Sequence, residues 1–442
     1  MDLISDEELS EINKILVGIR EWFKRTQLKF GWARCYAKEK SESPWATAES
    51  LLGLCSLGEP LHSLAMRKGF LYYFHNFPTK ESWKELVWNP RAIDALPWSI
   101  AALSLGKSKM CKRLCSGALS ALCERGEKSG RYWPDDSYMV LYTCSMTLKA
   151  LHLMNGRKDL QTFIVTQLKR WKTPKGGFGT NVRDTIPDAC YTAHILEAFL
   201  DIGVISPEEI QILTRIIKEK RNEDHGWGSR AMDYPDPTIG VSPDESYTEA
   251  TAQCVVALLK AGEPLTSEYI VDGIKWLLNP KLRDNNYGFR LTEKTEVRNF
   301  ATYYAGYAFL HYLILKEFYE KHGIPIDGKG LTGDTRRIFH RLAFENYFSQ
   351  LKLRNISLKT LFLGTFSNRL FSSRKKTSER RLQILSILDE RPMSTLELTK
   401  RLGLNPRTDE TKVKEDINFF VESHIVFEES PGSYWTILDA EL

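Results

Sequence analysis

No run of the roughly 18 uninterrupted apolar residues that a bilayer-spanning helix needs occurs in this 442-residue chain, so a membrane-spanning helix is not expected. The first residues, MDLISDEELSEINKIL, have neither a basic start nor an apolar core, and no secretory leader is read there. Eight cysteines, at positions 35, 55, 111, 115, 123, 144, 190 and 254, sit mostly inside apolar runs without paired spacing. Cys111 and Cys115 share a helix face, but no second pair and no neighbouring histidine completes a zinc set. Free thiols without a leader make a reducing, cytoplasmic setting the expectation. No phosphate-binding loop or dinucleotide fingerprint is present. Charge of one sign is scarce too: 61 Lys and Arg against 56 Asp and Glu leave +5, too little by itself to argue for nucleic acid. The apolar share of 42% is that of a globular chain, long enough for one large domain and a small one.

What is present is a repeat with a period of roughly fifty residues. Six segments share one pattern, a small polar residue, an apolar helix and a short turn: SPWATAESLLGLCSLGEP, LPWSIAALSLGK, YTCSMTLKALHLMNG, YTAHILEAFLDIG, SYTEATAQCVVALLKAGEP and NFATYYAGYAFLHYL. Their matching hydroxyls are Thr47, Ser99, Thr143, Thr192, Thr251 and Thr302. Glycine-aromatic or aromatic pairs precede several of them: GW at 31, YW at 132, GGFG at 176, GWG at 226 and YGF at 287. Between units lie second helical runs such as SEYIVDGIKWLLNP and KDLQTFIVTQLKRWK. Each unit therefore reads as two helices, one buried on most sides and one longer and amphipathic. Six such pairs favour a closed ring of helices over an open solenoid, whose end repeats would carry more polar caps.

Glycine-aromatic turns alternating with helices of the SYTEATAQCVVALL type resemble the terpenoid-cyclase and protein-prenyltransferase superfamily, over roughly residues 20 to 315. The resemblance implies an all-α fold, an α/α toroid of six helical hairpins occupying residues 1–315. It also brings two chemistries. GGFGTNVRDTIPDACYT matches the prenyltransferase pattern in which an Asp-x-Cys-Tyr helix start supplies zinc ligands, here Asp188 and Cys190 followed by Tyr191. The family's third ligand, a histidine before the last repeat hydroxyl, falls on Ala301, which cannot ligate. Asp188 and Cys190 alone are a degenerate site, so no cofactor is expected, with zinc as the alternative. His194, one turn beyond Cys190, is within reach but would make a different site. The other reading of PDACYTAH is a capped buried helix: Asp188 as N-cap, Cys190 as a small inner-face residue, His194 as a core or cavity histidine with a partner.

The second chemistry is that of class II terpene cyclases, whose DxDD run protonates an alkene or epoxide. YWPDDSYM places Asp135 in the proton donor's position but Trp133 where the first acid belongs. A helix start capped by Asp135 or Asp136 is the competing reading, and SPDESYTEA, with Asp244 and Glu245, repeats that grammar. The aspartate-rich DDxxD signature and the CGEQ thioester segment of related toroids are absent. Trp98, Tyr142, Cys190, Tyr191 and Tyr303 sit on inner helices, where aromatic rings either line an apolar pocket for an isoprenoid or acyl chain or fill the ring.

Beyond residue 315 the repeat stops. Residues 316–377 read as a basic amphipathic linker: positions 352–381 hold nine Lys and Arg against one acid, Glu379, interleaved with apolar residues. Such a stretch rests on an anionic membrane surface, docks on a partner, or packs on the toroid. Residues 378–442 read as three helices, the second capped by Ser394 or Thr395, and a hairpin turning at Pro431-Gly432. That order resembles a winged helix-turn-helix domain, with Leu396, Leu398, Leu402, Val413, Ile417 and Phe420 as its core. Arg401, Arg407, Lys412 and Lys414 form a basic patch for DNA or a partner, yet the third helix also carries Asp409, Glu410, Glu415, Asp416 and Glu422, a poor face for phosphate. The functional expectation is a toroid without the family's catalysis, acting as a binding or regulatory module and joined by its C-terminal domain to a protein partner or to DNA. An isoprenoid-processing enzyme using Asp135 or Asp188, and a regulator sensing an apolar ligand, stand as alternatives.

Overall fold

The computed structural model describes residues 3–35, 41–61, 63–89, 94–106, 108–129, 140–154, 156–230, 245–370 and 393–422, with short stretches between 380 and 388 and between 426 and 436. Helix α1 (Asp6–Thr26) leads the chain, its N-terminus closed by a capping box between Ser5 and Glu8. Five hairpins follow. They are α2 (Pro44–Ser56) with α3 (Leu64–Asn76), then, after α4 (Lys80–Trp88), α5 (Ala95–Leu105) with α6 (Lys109–Ser129). The others are α7 (Val140–Leu153) with α8 (Lys158–Arg170), α9 (Ala189–Ile202) with α10 (Pro207–Glu219), and α11 (Thr248–Lys260) with α12 (Glu268–Leu277). The sixth inner helix, α13 (Asn299–Lys321), takes α1 as its outer partner, so the last hairpin is built from opposite ends of the repeat region.

The inner helices pack in the order α2, α5, α7, α9, α11, α13, and α13 packs back on α2. The ring is closed, an α/α toroid. Asn299, the first residue of α13, makes the closing clasp: its amide donates to Ala46 O at 3.0 Å and Glu49 Oε2 at 3.2 Å, and it accepts from Ser50 Oγ at 3.0 Å. Inner helices touch neighbours on every side, which their Ala, Thr and Ser content permits; α9 buries every residue from Ala189 to Phe199. Outer α10 buries only a stripe, Ile210, Leu213, Ile216 and Ile217. The outer helices are not uniformly the longer partners, however: α10 has 13 residues against 14 in α9, and α12 has 10 against 13 in α11.

The repeat hydroxyls explain the repeat. The buried backbone N–H groups of Trp32, Phe178, Trp227 and Phe289 donate to the hydroxyls of Thr47, Thr192, Thr251 and Thr302, at 3.1, 3.1, 3.0 and 2.8 Å. The indoles of Trp32 and Trp227 donate in turn to Phe23 O (2.6 Å) and Ile217 O (2.8 Å), near the ends of the preceding outer helices. Each of these four turns is thus riveted to the inner helix that follows, and the two tryptophans tie theirs to the preceding outer helix as well. The glycine is required by close approach: a Cβ on Gly288 would lie 2.3 Å from the Trp22 indole nitrogen. The other two repeats differ. Ser99 bonds back to Ala95 O (2.8 Å), and the Thr143 hydroxyl has no partner among the described residues. The YW pair at 132, and with it Asp135, lies outside the described residues.

The expected boundary at 315 falls inside α13. Helix α14 (Gly333–Leu370) then packs its first half on α11 and α13, where His340 and Phe344 stack on His311 and Tyr347 donates to Ser56 O (2.8 Å). The side chains of residues 352–370 and all of 371–379 lie outside the described residues, so the membrane-surface expectation for 352–381 falls largely there. No helix among the described residues is long and apolar enough to cross a membrane.

Toward the C-terminus, α15 (Thr395–Arg401) and α16 (Pro406–Glu422) pack with a three-stranded antiparallel sheet. Its order is β1-β3-β2, from β1 (Met393–Ser394), β2 (Val426–Ser430) and β3 (Ser433–Thr436). Strand β1 was not expected; two residues are too short to show period-two alternation. Ser394, not Thr395, is the N-cap of α15, in a capping box with Glu397. Ile384, Leu388, Met393, Leu398, Val413, Ile417 and Phe420 form a core separate from that of the toroid. Leu396 corrects the expectation: it is 40% exposed, on the face of α15 away from Leu398.

Candidate functional site

The side chains facing the ring axis come from the first turns of the inner helices and meet one another. α7 and α13 stand opposite in a ring of six, and the hydroxyls of Tyr142 and Tyr304 are 3.3 Å apart across it. Trp98 donates its indole N–H to Tyr142 (2.9 Å) and stands edge-on to Tyr303, with centroids 5.2 Å apart. Trp45 from α2 and His194 from α9 pack on Tyr142 at 6.1 and 4.8 Å. Of the expected pocket residues, Trp98, Tyr142 and Tyr303 therefore meet in one cluster, ring against ring. Burial pushes the Tyr142 and Tyr304 phenols well above their ordinary range, so both remain neutral donors.

A polar layer lies one to two turns further along. Glu197 on α9 accepts from Lys149 of α7, Gln253 (2.6 Å) and Lys260 (2.7 Å) of α11, and Tyr307 (2.6 Å) of α13. Burial favours its neutral form, but the two ammonium groups and the hydrogen bonds outweigh this and hold the carboxylate well below its usual range. Asp201 gives Lys260 a second partner at 2.8 Å. Two levels of the axis are thus bridged by side chains from opposing helices.

Asp188 is the N-cap of α9. Oδ1 accepts from Tyr191 N at 3.0 Å and Oδ2 from Arg230 N at 2.8 Å. Burial raises its pKa, offset in part by these donors. Cys190 and Tyr191 are buried in the first turn, and burial, then the charges of Glu249 and Asp188, raises the Cys190 thiol. Ala301 is fully buried inside α13. With Asp188 committed to two backbone donors and an alanine in third place, the residues do not fit a zinc ion held as the prenyltransferase pattern implies. His194 is buried, yet neither ring nitrogen has a hydrogen-bond partner among the described residues; Nε2 lies 3.7 Å from Glu249 Oε1. The ligand atoms of Cys190, His194 and Glu249 lie within 4.8 Å of one another.

Glu49, Glu249, Glu197, Lys149 and Lys260 are the axial residues that sequence reasoning missed. Their signal was available: each is a charge inside an otherwise Ala-, Thr- and Leu-rich helix, where burial demands a partner. In the C-terminal unit, Lys412 is exposed and bonds to Asp409 of its own helix at 2.8 Å, while Asp416 is buried against Arg380 at 2.6 Å. Arg401 and Lys414 are exposed, and the Arg407 side chain lies outside the described residues.

No protein-family model matches the sequence, and neither does any curated protein. Among solved structures, the chain is similar to a glycosyl hydrolase family 88 protein from Bacteroides vulgatus (10% identity, 69% of this chain and 99% of that one, TM-score 0.46). It is similar to the type II terpene cyclase MstE from Scytonema, in its complex with geranylgeranyl dihydroxybenzoate (13%, 68% and 97%, 0.43). Candida albicans protein geranylgeranyltransferase-I complexed with GGPP also aligns (14%, 74% and 98%, 0.39).

Proposed function

We propose that this chain is a non-catalytic docking protein: the toroid is a scaffold with a filled axis, and the C-terminal residues 378–442, read as a winged-helix unit, engage a protein partner. The observation that carries this reading is the contact between Tyr142 and Tyr304, which joins opposite walls of the ring where an isoprenoid chain would have to pass. The Glu197 network, spanning α7, α9, α11 and α13, supports it at a second level. Protein is favoured over DNA as the partner because Lys412 is paired within α16 and the rest of that helix is predominantly acidic, whereas Leu396 offers an exposed apolar contact.

The test pairs two measurements on the full chain. Native mass spectrometry after incubation with geranylgeranyl diphosphate or geranylgeraniol is expected to show no retained ligand and no product. Cross-linking in cells is expected to map partner peptides onto residues 393–422, and Leu396→Asp to remove them. Stoichiometric prenyl ligand would refute the filled scaffold. Salt-sensitive binding to duplex DNA that is lost in Lys412→Glu/Lys414→Glu would replace the protein partner with nucleic acid.

One observation favours an isoprenoid-processing enzyme as the second reading. Glu49 is buried on α2, one turn from Trp45; its Oε1 has no partner among the described residues, and burial raises its pKa well above the carboxylate range. A neutral carboxyl among aromatic rings is the equipment of acid-initiated cation chemistry. Turnover of a prenyl substrate that Glu49→Gln abolishes would establish it.

A further inference from the structure

Between the starts of α9 and α11, three side chains with metal-ligating atoms lie close together. Cys190 and His194 are four residues apart on α9 and so share a face, while Glu249 is brought to them by the packing of α11 on α9. We propose that Cys190, His194 and Glu249 form a zinc site, distinct in two of its three ligands from the pattern the sequence resembles. The ligand atoms lie within 4.8 Å of one another, and tetrahedral zinc spaces its ligands ~3.5 Å apart, so side-chain adjustments of about an ångström close the site.

Three further facts converge on this cation. His194 is 1% exposed and both its ring nitrogens lack a hydrogen-bond partner among the described residues, a desolvation cost that metal ligation at one nitrogen relieves. A thiolate and a carboxylate carry two negative charges, so a divalent ion bound there adds no net charge to the interior. Sulfur, nitrogen and oxygen donors together select zinc over magnesium or calcium, which take oxygen. Loading releases the Cys190 thiol proton to solvent. Three protein ligands leave a fourth position for water, the form of an open rather than a closed structural site.

The test uses the full chain purified without chelator from zinc-supplemented cells. Elemental analysis is expected to find one equivalent of zinc, falling at least tenfold in Cys190→Ser and in His194→Ala, and severalfold in Glu249→Gln. Circular dichroism of each variant checks the fold. Replacement by cobalt is expected to give a sulfur-to-metal charge-transfer band that Cys190→Ser removes. Asp188→Asn, folded, is expected to retain its zinc. Absence of stoichiometric zinc from the wild type overturns the site. So does cobalt binding without the sulfur band, or zinc retained in folded His194→Ala and Glu249→Gln while lost in Asp188→Asn.

Discussion

Thr251→Val is the sharpest test of the rivet that joins the repeats. Valine keeps the shape of threonine but removes the oxygen that accepts from Trp227 N at 3.0 Å. Trp227 is fully buried, so its N–H is left without a partner rather than transferred to water. An orphaned buried donor costs about 1–3 kcal/mol. Urea unfolding of the full chain followed by tryptophan fluorescence reads the loss directly, and Thr251→Ser should recover most of it. Thr47 makes the equivalent bond from a helix that is not a ring neighbour of α11, so Thr47→Val/Thr251→Val should cost the sum of the single changes within ~0.5 kcal/mol. The rivet is refuted if Thr251→Val unfolds at the wild-type midpoint.

Glu197→Gln should cost about 3–5 kcal/mol, because it removes the fully buried acid of the network and leaves the partly buried Lys149 without its partner, as thermal unfolding would show; a cost under about 1 kcal/mol would mean the network is not electrostatic. Burial, reinforced by Lys260, pushes His340 down to about 3, with Glu197 only partly opposing this, and its neighbour His311 is also well below its ordinary range. A folded pKa below the unfolded value stabilises the neutral form, so this stability is present above about pH 6.5 and is lost as pH falls toward 3. His340→Phe should lower the acid-side slope of stability against pH by up to about 1.4 kcal/mol per unit, and an unchanged slope would count against a buried neutral ring there. His225 holds a left-handed φ of 71° while its side chain is mostly exposed; His225→Gly should stabilise by about 1 kcal/mol in chemical denaturation, and a loss would show that its contact with Asp272 outweighs the strain.

The ring is legible in the sequence because its elements recur: the Thr-containing inner helices and the glycine-aromatic turns are local patterns, and their number argues for closure. The clasp is not legible. Asn299 is an ordinary polar residue until α2, some 250 positions earlier, is placed against it. The same limit hid the axial charges. Glu197, Glu249 and Lys260 read as exceptions within apolar helices, and only the packing of α9 on α11 shows what each is paired with. Asp188 was readable as a cap because capping is local, whereas Glu249 as the neighbour of His194 belongs to another repeat. Leu396 failed as a core residue because seven residues of helix are too few for the apolar period to define a face.

Making the sixth hairpin from α1 and α13 also sets a timetable for synthesis. α1 leaves the ribosome well before α13, yet the helix that covers Ile19 ends at Lys321, 295 residues after Thr26. At ~5–20 residues per second this is roughly 15–60 s during which the apolar stripe of α1 lacks its α13 cover. Early hairpins can stack as they emerge, but the nascent chain remains an open arc until its last repeat arrives. Newly made chains should therefore depend on a chaperone at their N-terminal helix in a way that the finished ring does not.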